Sequence, residues 1–284
     1  MIDKICIIGV GLIGSSFALG LKKANKIKTI IGFDEQKSSL EKAKKLGVID
    51  DFSLDISQAL SGVQMVLIAT PVNSFKPILE LIKPHISAEI IITDVGSTKS
   101  SVVEIAEMVF GKMPANFVPA HPIAGKEKSG VEAADANLFK GKSVILTPQP
   151  ATSKNAIGQV TQLWQGIGAK VDIMTAEKHD ALLGMTSHLP HILAFALMDY
   201  LIHSNPDACD YAAGGFKDFS RIASSDAVMW RDICLNNSTQ ISKHITGYQR
   251  SLANLLELVE GKNSAALEEL FASAKSARDG WLQD

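Results

Sequence analysis

The chain has 284 residues, of which 46% are hydrophobic and 20% are charged, and its formal net charge at pH 7 is −2. This length allows one large domain or two smaller ones with a sizeable core, and the near-neutral charge argues against nucleic acid as the main partner. The longest apolar helical stretch, near residues 189–202, contains Pro190, His191 and Asp199, so no membrane span is predicted there.

The cysteines and the first residues indicate where the protein works. Cys6, Cys209 and Cys234 lack the spacing of a metal site. Residues 4–9 are already a strand candidate, so no signal peptide is expected. Both features favour a reducing, cytoplasmic compartment.

Strand and helix patterns alternate through residues 1–175. Continuous apolar runs are typical of buried parallel strands, and they predict strands at 4–9, 29–34, 65–70, 90–95, 117–119, 143–148 and 169–174. Helices are predicted at 12–24, 36–46, 74–83, 98–110 and 153–166. This order predicts an α/β domain with a doubly wound, Rossmann-type sheet.

Residues 176–284 have only helical periodicity and predict an all-helical second domain. The expected helices are 176–203, 207–213, 217–223, 226–261 and 263–281, with a break near Gly247. Such a domain is thin for a core of its own, so we expect it to bind substrate and to pair with a second copy in a homodimer.

The first predicted strand and helix are joined by Gly9-x-Gly11-x-x-Gly14. This pattern inside a βαβ unit is the fingerprint of a dinucleotide-binding site. Gly9 permits the tight turn, Gly11 lets the backbone approach a pyrophosphate, and Gly14 lets the helix pack on the sheet. The helix start, with Leu12 and Ile13, offers N–H groups to the phosphates. The alternative is a glycine-rich turn that binds nothing.

Asp34 ends the second predicted strand, 20 residues after Gly14. An acid at this place accepts hydrogen bonds from ribose hydroxyls and repels a 2′-phosphate. The sequence therefore predicts NAD rather than NADP as the cofactor, with Lys37 as a feature that softens the preference.

Three segments follow strands at the edge where open α/β sheets bind ligands. They are Ala69–Val72, which contains Thr70 and Pro71, then Asp94–Lys99, and then Pro119–Glu127. We expect a bound cofactor to contact Thr70 and Pro71.

His121, in the third segment, is the strongest catalytic candidate because an imidazole can take a hydroxyl proton as the carbinol carbon loses hydride. It is equally consistent with a loop histidine that hydrogen-bonds the backbone. Ser97 is either a ligand of substrate, nicotinamide or His121, or the N-cap of the helix at 98–110. Lys99 is expected at the surface.

Two further clusters lie in the helical part. Ser187-His188-Leu189-Pro190-His191 places two histidines on one helix face, where a substrate-binding His191, a core histidine and, much less favoured, a metal ligand all remain open. Arg221 is a candidate carboxylate clamp. Arg231 is consistent with an ion pair to Asp232 as well as with a ligand-binding role. Trp230 is expected to serve packing rather than chemistry.

The chain resembles the prephenate and arogenate dehydrogenases of tyrosine biosynthesis over nearly its whole length. The matching segments are, in order, GVGLIGSS, ATPV, DVGSTK, HPIAGKEKSGV, SHLPH, GGFKDFSRIASSD and MWRDI. The resemblance implies NAD-dependent oxidative decarboxylation of prephenate to 4-hydroxyphenylpyruvate, without a metal.

The resemblance also implies roles for individual residues. His121 hydrogen-bonds the ring hydroxyl and assists its deprotonation, and Ser97 helps to place His121, the hydroxyl and the nicotinamide. His191 lies in the substrate pocket, Arg221 binds a substrate carboxylate, and Glu127 lies near the substrate side chain. Supporting positions are matched by Asp218 and Trp230.

Three alternatives to a prephenate dehydrogenase stay open. The first is an arogenate or broad cyclohexadienyl dehydrogenase, which the sequence does not separate from a prephenate enzyme. The second is a β-hydroxyacid dehydrogenase or imine reductase. The third is an NAD-binding regulatory protein without turnover. Neither of the last two explains His121, Ser97, His191 and Arg221 together.

Overall fold

A computed structural model describes residues 2–126 and 128–281. Within these residues, six parallel strands form one sheet in the order β3-β2-β1-β4-β5-β6. They are β1 (Lys4–Ile8), β2 (Thr29–Phe33), β3 (Asp51–Phe52), β4 (Met65–Ile68), β5 (Ile91–Asp94) and β6 (Phe117–Val118). The predicted doubly wound sheet is confirmed.

Helices cover both faces of this sheet. Successive residues of a strand point to opposite faces, and in β1 Ile5 and Ile7 belong to one hydrophobic core while Cys6 and Ile8 belong to the other. The helices of this part are α1 (Leu12–Lys23), α2 (Lys37–Lys45), α3 (Ile56–Ala59), α4 (Phe75–Ile82), α5 (Ser100–Phe110) and α6 (Lys154–Gly166).

A second, three-stranded sheet contains two of the predicted strands and one that was not predicted. It consists of β7 (Ala120–Pro122), β8 (Ser143–Leu146) and β9 (Lys170–Ile173). β7 runs antiparallel to β8, and β8 runs parallel to β9. His121 therefore lies on a short strand, not in the loop that the sequence predicts, because the chain after Pro119 leaves the large sheet and pairs with β8.

The remaining described chain is helical, as predicted. It contains α7 (Ala176–Leu183), a π-helical turn (Gly184–His188), α8 (Leu189–Ser204), α9 (Gly214–Ser220), α10 (Ala227–Asn236), α11 (Ser238–Glu260) and α12 (Ser264–Trp281). Short 3₁₀ helices add Val72–Ser74, Lys83–His85, Val131–Ala133, Pro206–Tyr211 and Arg221–Ser224.

The break expected near Gly247 is wrong. α11 runs through Gly247, and the interruption lies at Asn237, whose φ of −122° and ψ of 30° leave the helical region. Its side chain is held there by hydrogen bonds to the Asp180 carbonyl and to His188 Nδ1, at 2.9 and 3.0 Å. Tertiary contacts, not the flexible glycine, fix the break.

The chain divides into two compact units, the first ending at Ser238 and the second beginning at Thr239. The domain boundary predicted after residue 175 remains a prediction. The continuous helical segment Ala176–Ser204 is long and apolar enough, by length and composition, to cross a membrane, and 22% of its most apolar window is buried. Much of that apolar surface is therefore uncovered in a single copy of the chain.

Candidate active site

The glycine turn after β1 has the geometry that a dinucleotide needs. Gly9 has a φ of +95°, and a Cβ there would lie 2.6 Å from the Ala69 carbonyl oxygen. A Cβ at Gly14 would collide with the Gly9 carbonyl oxygen, whereas one at Gly11 would meet nothing within 4 Å. Gly9 and Gly14 thus serve the close packing of turn and helix, and Gly11 leaves open space in front of the backbone.

The start of α1 is free to hold an anion. In the described part of the chain no side chain caps this helix, and its first intrahelical bond runs from the Ser15 N–H to the Gly11 carbonyl. The N–H groups of Leu12 and Ile13 precede that bond, so they and the helix dipole remain for phosphate oxygens.

Asp34 lies across the glycine turn. Its Oδ2 accepts a hydrogen bond from the Val10 N–H at 3.1 Å and its Oδ1 accepts one from the Gln36 N–H at 3.0 Å. A carboxylate oxygen accepts more than one hydrogen bond, so ribose hydroxyls can be added. Lys37 is exposed and lies 3.5 Å from Glu41.

Thr70 follows β4 and packs against the turn, since its Cγ2 would lie 2.9 Å from a Cβ at Gly9. Its Oγ1 is buried and has no hydrogen-bond partner among the described residues, and the next residue, Pro71, is exposed. A buried hydroxyl without a hydrogen-bond partner is stabilised when a bound ligand supplies a polar group. With the turn, the helix start and Asp34, it makes this edge of the sheet a fit for NAD.

Lys99 is fully buried, so the surface position expected from the sequence is wrong. Its Nζ forms an ion pair with Asp94 and donates a hydrogen bond to the Ala120 carbonyl at 2.8 Å. The Asp94 carboxylate also accepts bonds from the Gly96 and Ala120 N–H groups, at 2.7 and 3.0 Å. Burial raises the pKa of Asp94 and lowers that of Lys99, while each charge opposes the shift of the other. The pair fixes the residue next to His121.

Ser97 does not cap the N-terminus of α5, so the N-cap role that the sequence offered as one alternative for Ser97 is wrong. α5 begins at Ser100, and the N–H groups of Lys99 and Ser100 donate to the two carboxylate oxygens of Asp180, each at 2.8 Å. Asp180 belongs to α7, so the cap comes from a distant helix. Ser97 is partly buried and has no hydrogen bond among the described residues, so its hydroxyl is left for a ligand.

His121, His179 and Asp180 form a chain of hydrogen bonds. His121 Nδ1 lies 2.8 Å from His179 Nε2, and His179 Nδ1 lies 2.8 Å from Asp180 Oδ1. Burial, and next repulsion from His179, Lys99 and His188, hold the pKa of His121 well below its usual value. Burial also lowers the pKa of His179, against the bond to Asp180. His121 is therefore neutral at physiological pH.

His188 and His191 both contact the Trp230 ring. The His191 ring stacks on Trp230 with centroids 4.0 Å apart, and the His188 ring meets it edge-on at 6.0 Å. His191 Nδ1–H donates to the Ser187 carbonyl at 2.9 Å, so Nε2 carries the lone pair. Burial lowers the pKa of His188 to about 4. His188 is a buried structural group and His191 keeps an acceptor for a ligand.

Arg221 lines an open cavity of about 430 Å³ with Phe195, Met198 and Lys217. Its charge also lowers the pKa of His191, which places the two side chains in electrostatic reach. Arg231 pairs instead with Asp232 at 2.7 Å and is 60% exposed. The cavity thus combines cationic and apolar groups suited to an acid with a ring.

Two further predicted residues, Asp218 and Glu127, have no part in the contacts described above. Asp218 is exposed on α9, and Glu127 lies outside the described residues. In residues 2–126 and 128–281 no group of three His, Cys, Asp or Glu side chains is placed to hold a metal ion. Sequence reasoning missed His179, Asp180 and Asn237; the adjacent His179-Asp180 at the start of a predicted helix was the available signal.

Comparison with known proteins gives consistent matches. The family model "Prephenate dehydrogenase, nucleotide-binding domain" matches residues 17–173, and "Prephenate dehydrogenase, dimerization domain" matches residues 175–273. The prephenate dehydrogenase of Bacillus subtilis is 41% identical over 99% of this chain and 76% of that protein. The cyclohexadienyl dehydrogenase of Zymomonas mobilis is 33% identical over 96% of this chain and 94% of that protein.

A solved structure extends the similarity to three dimensions. Prephenate dehydrogenase from Aquifex aeolicus, crystallised with hydroxyphenyl propionate and NAD⁺, superposes with a TM-score of 0.93 at 40% identity and covers 98% of each chain. The similarity therefore includes both the nucleotide-binding part and the helical part.

Proposed function

The chain belongs to the prephenate dehydrogenase family, an NAD-dependent oxidoreductase family, and we propose that prephenate is the acid it oxidises, giving 4-hydroxyphenylpyruvate. The observation that carries this proposal is the neutral His121, whose Nδ1 is engaged by His179 at 2.8 Å. A neutral imidazole keeps a lone pair that can accept a proton, as the oxidation of a ring hydroxyl requires.

Bound NAD supplies the acceptor for the hydride that leaves C4 of the ring. As C4 loses hydride, its hydroxyl becomes acidic, and His121 Nε2 takes that proton as a general base. The bond from C1 to its carboxylate breaks, carbon dioxide leaves, and the electron pair enters the ring, which becomes aromatic. His121 returns the proton to the phenolic oxygen and is neutral again.

The cofactor is NAD, and we propose that Gly9, Gly11, Gly14 and the N–H groups of Leu12 and Ile13 receive its pyrophosphate. Asp34 would accept hydrogen bonds from the hydroxyls of the adenosine ribose, and its negative charge would repel the 2′-phosphate of NADP. Thr70 and Pro71 would contact the cofactor from β4, because the Thr70 hydroxyl is buried without a partner in the described structure.

We propose that Arg221 binds a substrate carboxylate and that His191 Nε2 accepts a hydrogen bond from the substrate. The cation in the 430 Å³ cavity supports this assignment, since a guanidinium suits planar carboxylates. Ser97 lies in the sequence between the cofactor-contacting Thr70-Pro71 and His121. Its hydroxyl has no hydrogen-bond partner among the described residues, which suits a hydrogen bond that links His121, the substrate hydroxyl and the nicotinamide. Glu127, which lies outside the described residues, is proposed as a further substrate-binding residue.

The functional protein is proposed to be a cytoplasmic homodimer, with residues 1–175 binding NAD and residues 176–284 binding substrate and pairing the copies. Exposed apolar side chains support this pairing, among them Tyr200 and Ile202 of the first unit and Leu256 and Phe271 of the second. The family model for 175–273 is described as a dimerization domain. Free cysteines suit a reducing compartment. Light scattering of the purified protein would show one chain's mass if this assembly were wrong.

The first experiment follows NADH absorbance with the purified protein, testing prephenate and arogenate, each with NAD and with NADP. We expect turnover with prephenate and NAD. Comparable turnover of arogenate would make the protein a broad cyclohexadienyl dehydrogenase, the activity named for the Zymomonas mobilis relative. Turnover of arogenate alone, or of neither acid despite NAD binding, would refute the proposal.

His121→Asn tests the base. We expect kcat to fall by roughly 10²-fold or more, the usual contribution of general base catalysis, while the Kd for NAD stays within error. Near-normal turnover would remove His121 from the mechanism.

A further inference from the structure

We propose that His179 and Asp180 are positioning residues that hold the proton of His121 on Nδ1 and keep Nε2 as the base. This inference rests on the proposed role of His121 and extends it to two residues that no sequence motif identified. It assigns them an effect on the protonation of His121 rather than contact with substrate.

The hydrogen-bond chain has only one consistent direction when Asp180 is ionised. A carboxylate has no proton to give, so the 2.8 Å contact must be a bond donated by His179 Nδ1–H to Asp180 Oδ1. A neutral His179 then carries its lone pair on Nε2. The 2.8 Å contact to His121 must therefore be donated by His121 Nδ1–H, which leaves His121 Nε2 unprotonated.

Asp180 is well fixed in the ionised form. Burial raises its pKa, but hydrogen bonds from His179 and from the Lys99 and Ser100 N–H groups outweigh that effect and the net pKa is lowered. Those two N–H groups begin α5, where the helix dipole also favours an anion. Its backbone carbonyl accepts a bond from Asn237 at 2.9 Å, so the residue is anchored at both ends.

The same chain keeps His121 Nδ1–H bonded to an acceptor, His179 Nε2, while His121 Nε2 takes the substrate proton. The groups that act on His121 electrostatically are His179 beside Asp180 on α7, Lys99 before α5, and His188 in the π-helical turn. His179, Lys99 and His188 all disfavour an imidazolium at His121, and the Lys99 charge is offset by Asp94. The His179–Asp180 pair acts on His121 through the hydrogen bond that His179 Nε2 accepts from His121 Nδ1–H.

A purely structural reading predicts something different. If Asp180 served only as the cap of α5, its loss would lower stability and would leave the tautomer of His121 unchanged. If His179 were only a buried core side chain, any substituent of similar volume would serve equally well. The two readings therefore separate on protonation, not on folding.

The experiment uses Asp180→Ala in the full-length protein. Without the carboxylate nothing accepts from His179 Nδ1–H, so His179 is free to carry its proton on Nε2 and the share of His121 protonated on Nε2 rises. We expect kcat to fall about 10²- to 10⁴-fold, as for a triad that loses its carboxylate, with KM and the NAD Kd within about threefold. Two-bond ¹H–¹⁵N spectra of histidine-labelled protein, assigned with His121→Asn, report the tautomer directly.

A pair of variants at His179 keeps the test independent of the α5 cap. In His179→Gln the amide oxygen reaches the place of Nε2 and still accepts from His121, whereas His179→Asn is too short to do so. We expect His179→Gln to retain at least tenfold more kcat than His179→Asn. His203→Gln is the matched control, because His203 is 72% exposed beside Asp199 on α8, and it should behave as wild type.

The outcomes separate this inference from the proposed function. A His121 tautomer unchanged from wild type in Asp180→Ala, or equal turnover of the two His179 variants, would overturn the positioning role. If the wild-type protein turned over neither acid, the proposed function would fail, but the tautomer spectra would still decide whether His179 and Asp180 control His121.

Discussion

Replacing Lys99 by Met removes one charge from a fully buried ion pair and leaves a side chain of similar length. Both partners have 0% side-chain exposure, so the remaining Asp94 carboxylate cannot turn to water. Breaking such a pair from one side typically costs about 3–5 kcal/mol. Asp94 retains the Gly96 and Ala120 N–H donors, so we expect a loss toward the lower end, about 3 kcal/mol of unfolding free energy at pH 7.

The loss also depends on pH in a defined direction. Without Lys99, burial holds the pKa of Asp94 above its unfolded value of about 4. The folded variant then binds a proton that the unfolded chain releases, so its stability is retained below the unfolded pKa and is lost as pH rises through the folded pKa. Lys99→Met should therefore come closer to wild type near pH 5 than at pH 8.

Urea unfolding at one fixed protein concentration measures this, because association would otherwise change the apparent stability. Lys28→Met is the matched control: Lys28 pairs with Asp3 but is 75% exposed, and exposed pairs contribute about 0–1 kcal/mol. Asp94→Asn combined with Lys99→Met should recover part of the loss. Equal effects of Lys28→Met and Lys99→Met would refute the buried pair.

Three other changes have defined outcomes. Gly14→Ala should abolish NAD binding or folding, measured by NAD titration and circular dichroism, because its Cβ collides with the Gly9 carbonyl; an unchanged NAD Kd would contradict this. His188 has a folded pKa of about 4 against 6.5, so the unfolded chain binds the extra proton between these values. The free energy of unfolding should therefore fall by roughly 3 kcal/mol as pH drops from about 6.5 to 4. His188→Asn should reduce this pH dependence in urea unfolding. An unchanged pH dependence in the variant would show that another group causes it. Arg221→Ala should raise KM for the acid about 10- to 100-fold, since a hydrogen bond to a charged group contributes about 1.5–3 kcal/mol, whereas Arg231→Ala should leave KM near wild type; the reverse pattern would exchange their roles.

Local pattern was sufficient for the elements and for the cofactor edge. Buried parallel strands are apolar throughout, so β1, β4 and β5 were predicted within two residues of their ends. Gly9 and Gly14 were identified because a turn and a close helix contact tolerate no side chain, a constraint that depends on spacing alone. His121 stood out because a histidine after a strand, next to proline, fits no core pattern.

What surrounds His121 depended on tertiary contacts that the sequence does not display locally. His179 lies 58 residues from His121, and Asp180 lies 80 residues from the Ser100 N–H group that it caps. Lys99 was assigned to the surface because an isolated lysine usually lies there, and only the packing of β5, β7 and α5 around it shows that Asp94 neutralises its charge. Hydrophobic period determines which face of a helix is buried, but which polar groups meet inside is decided by how the helices and strands are arranged. The sequence by itself therefore determined the fold and the candidate base, and the tertiary structure decided how that base is held.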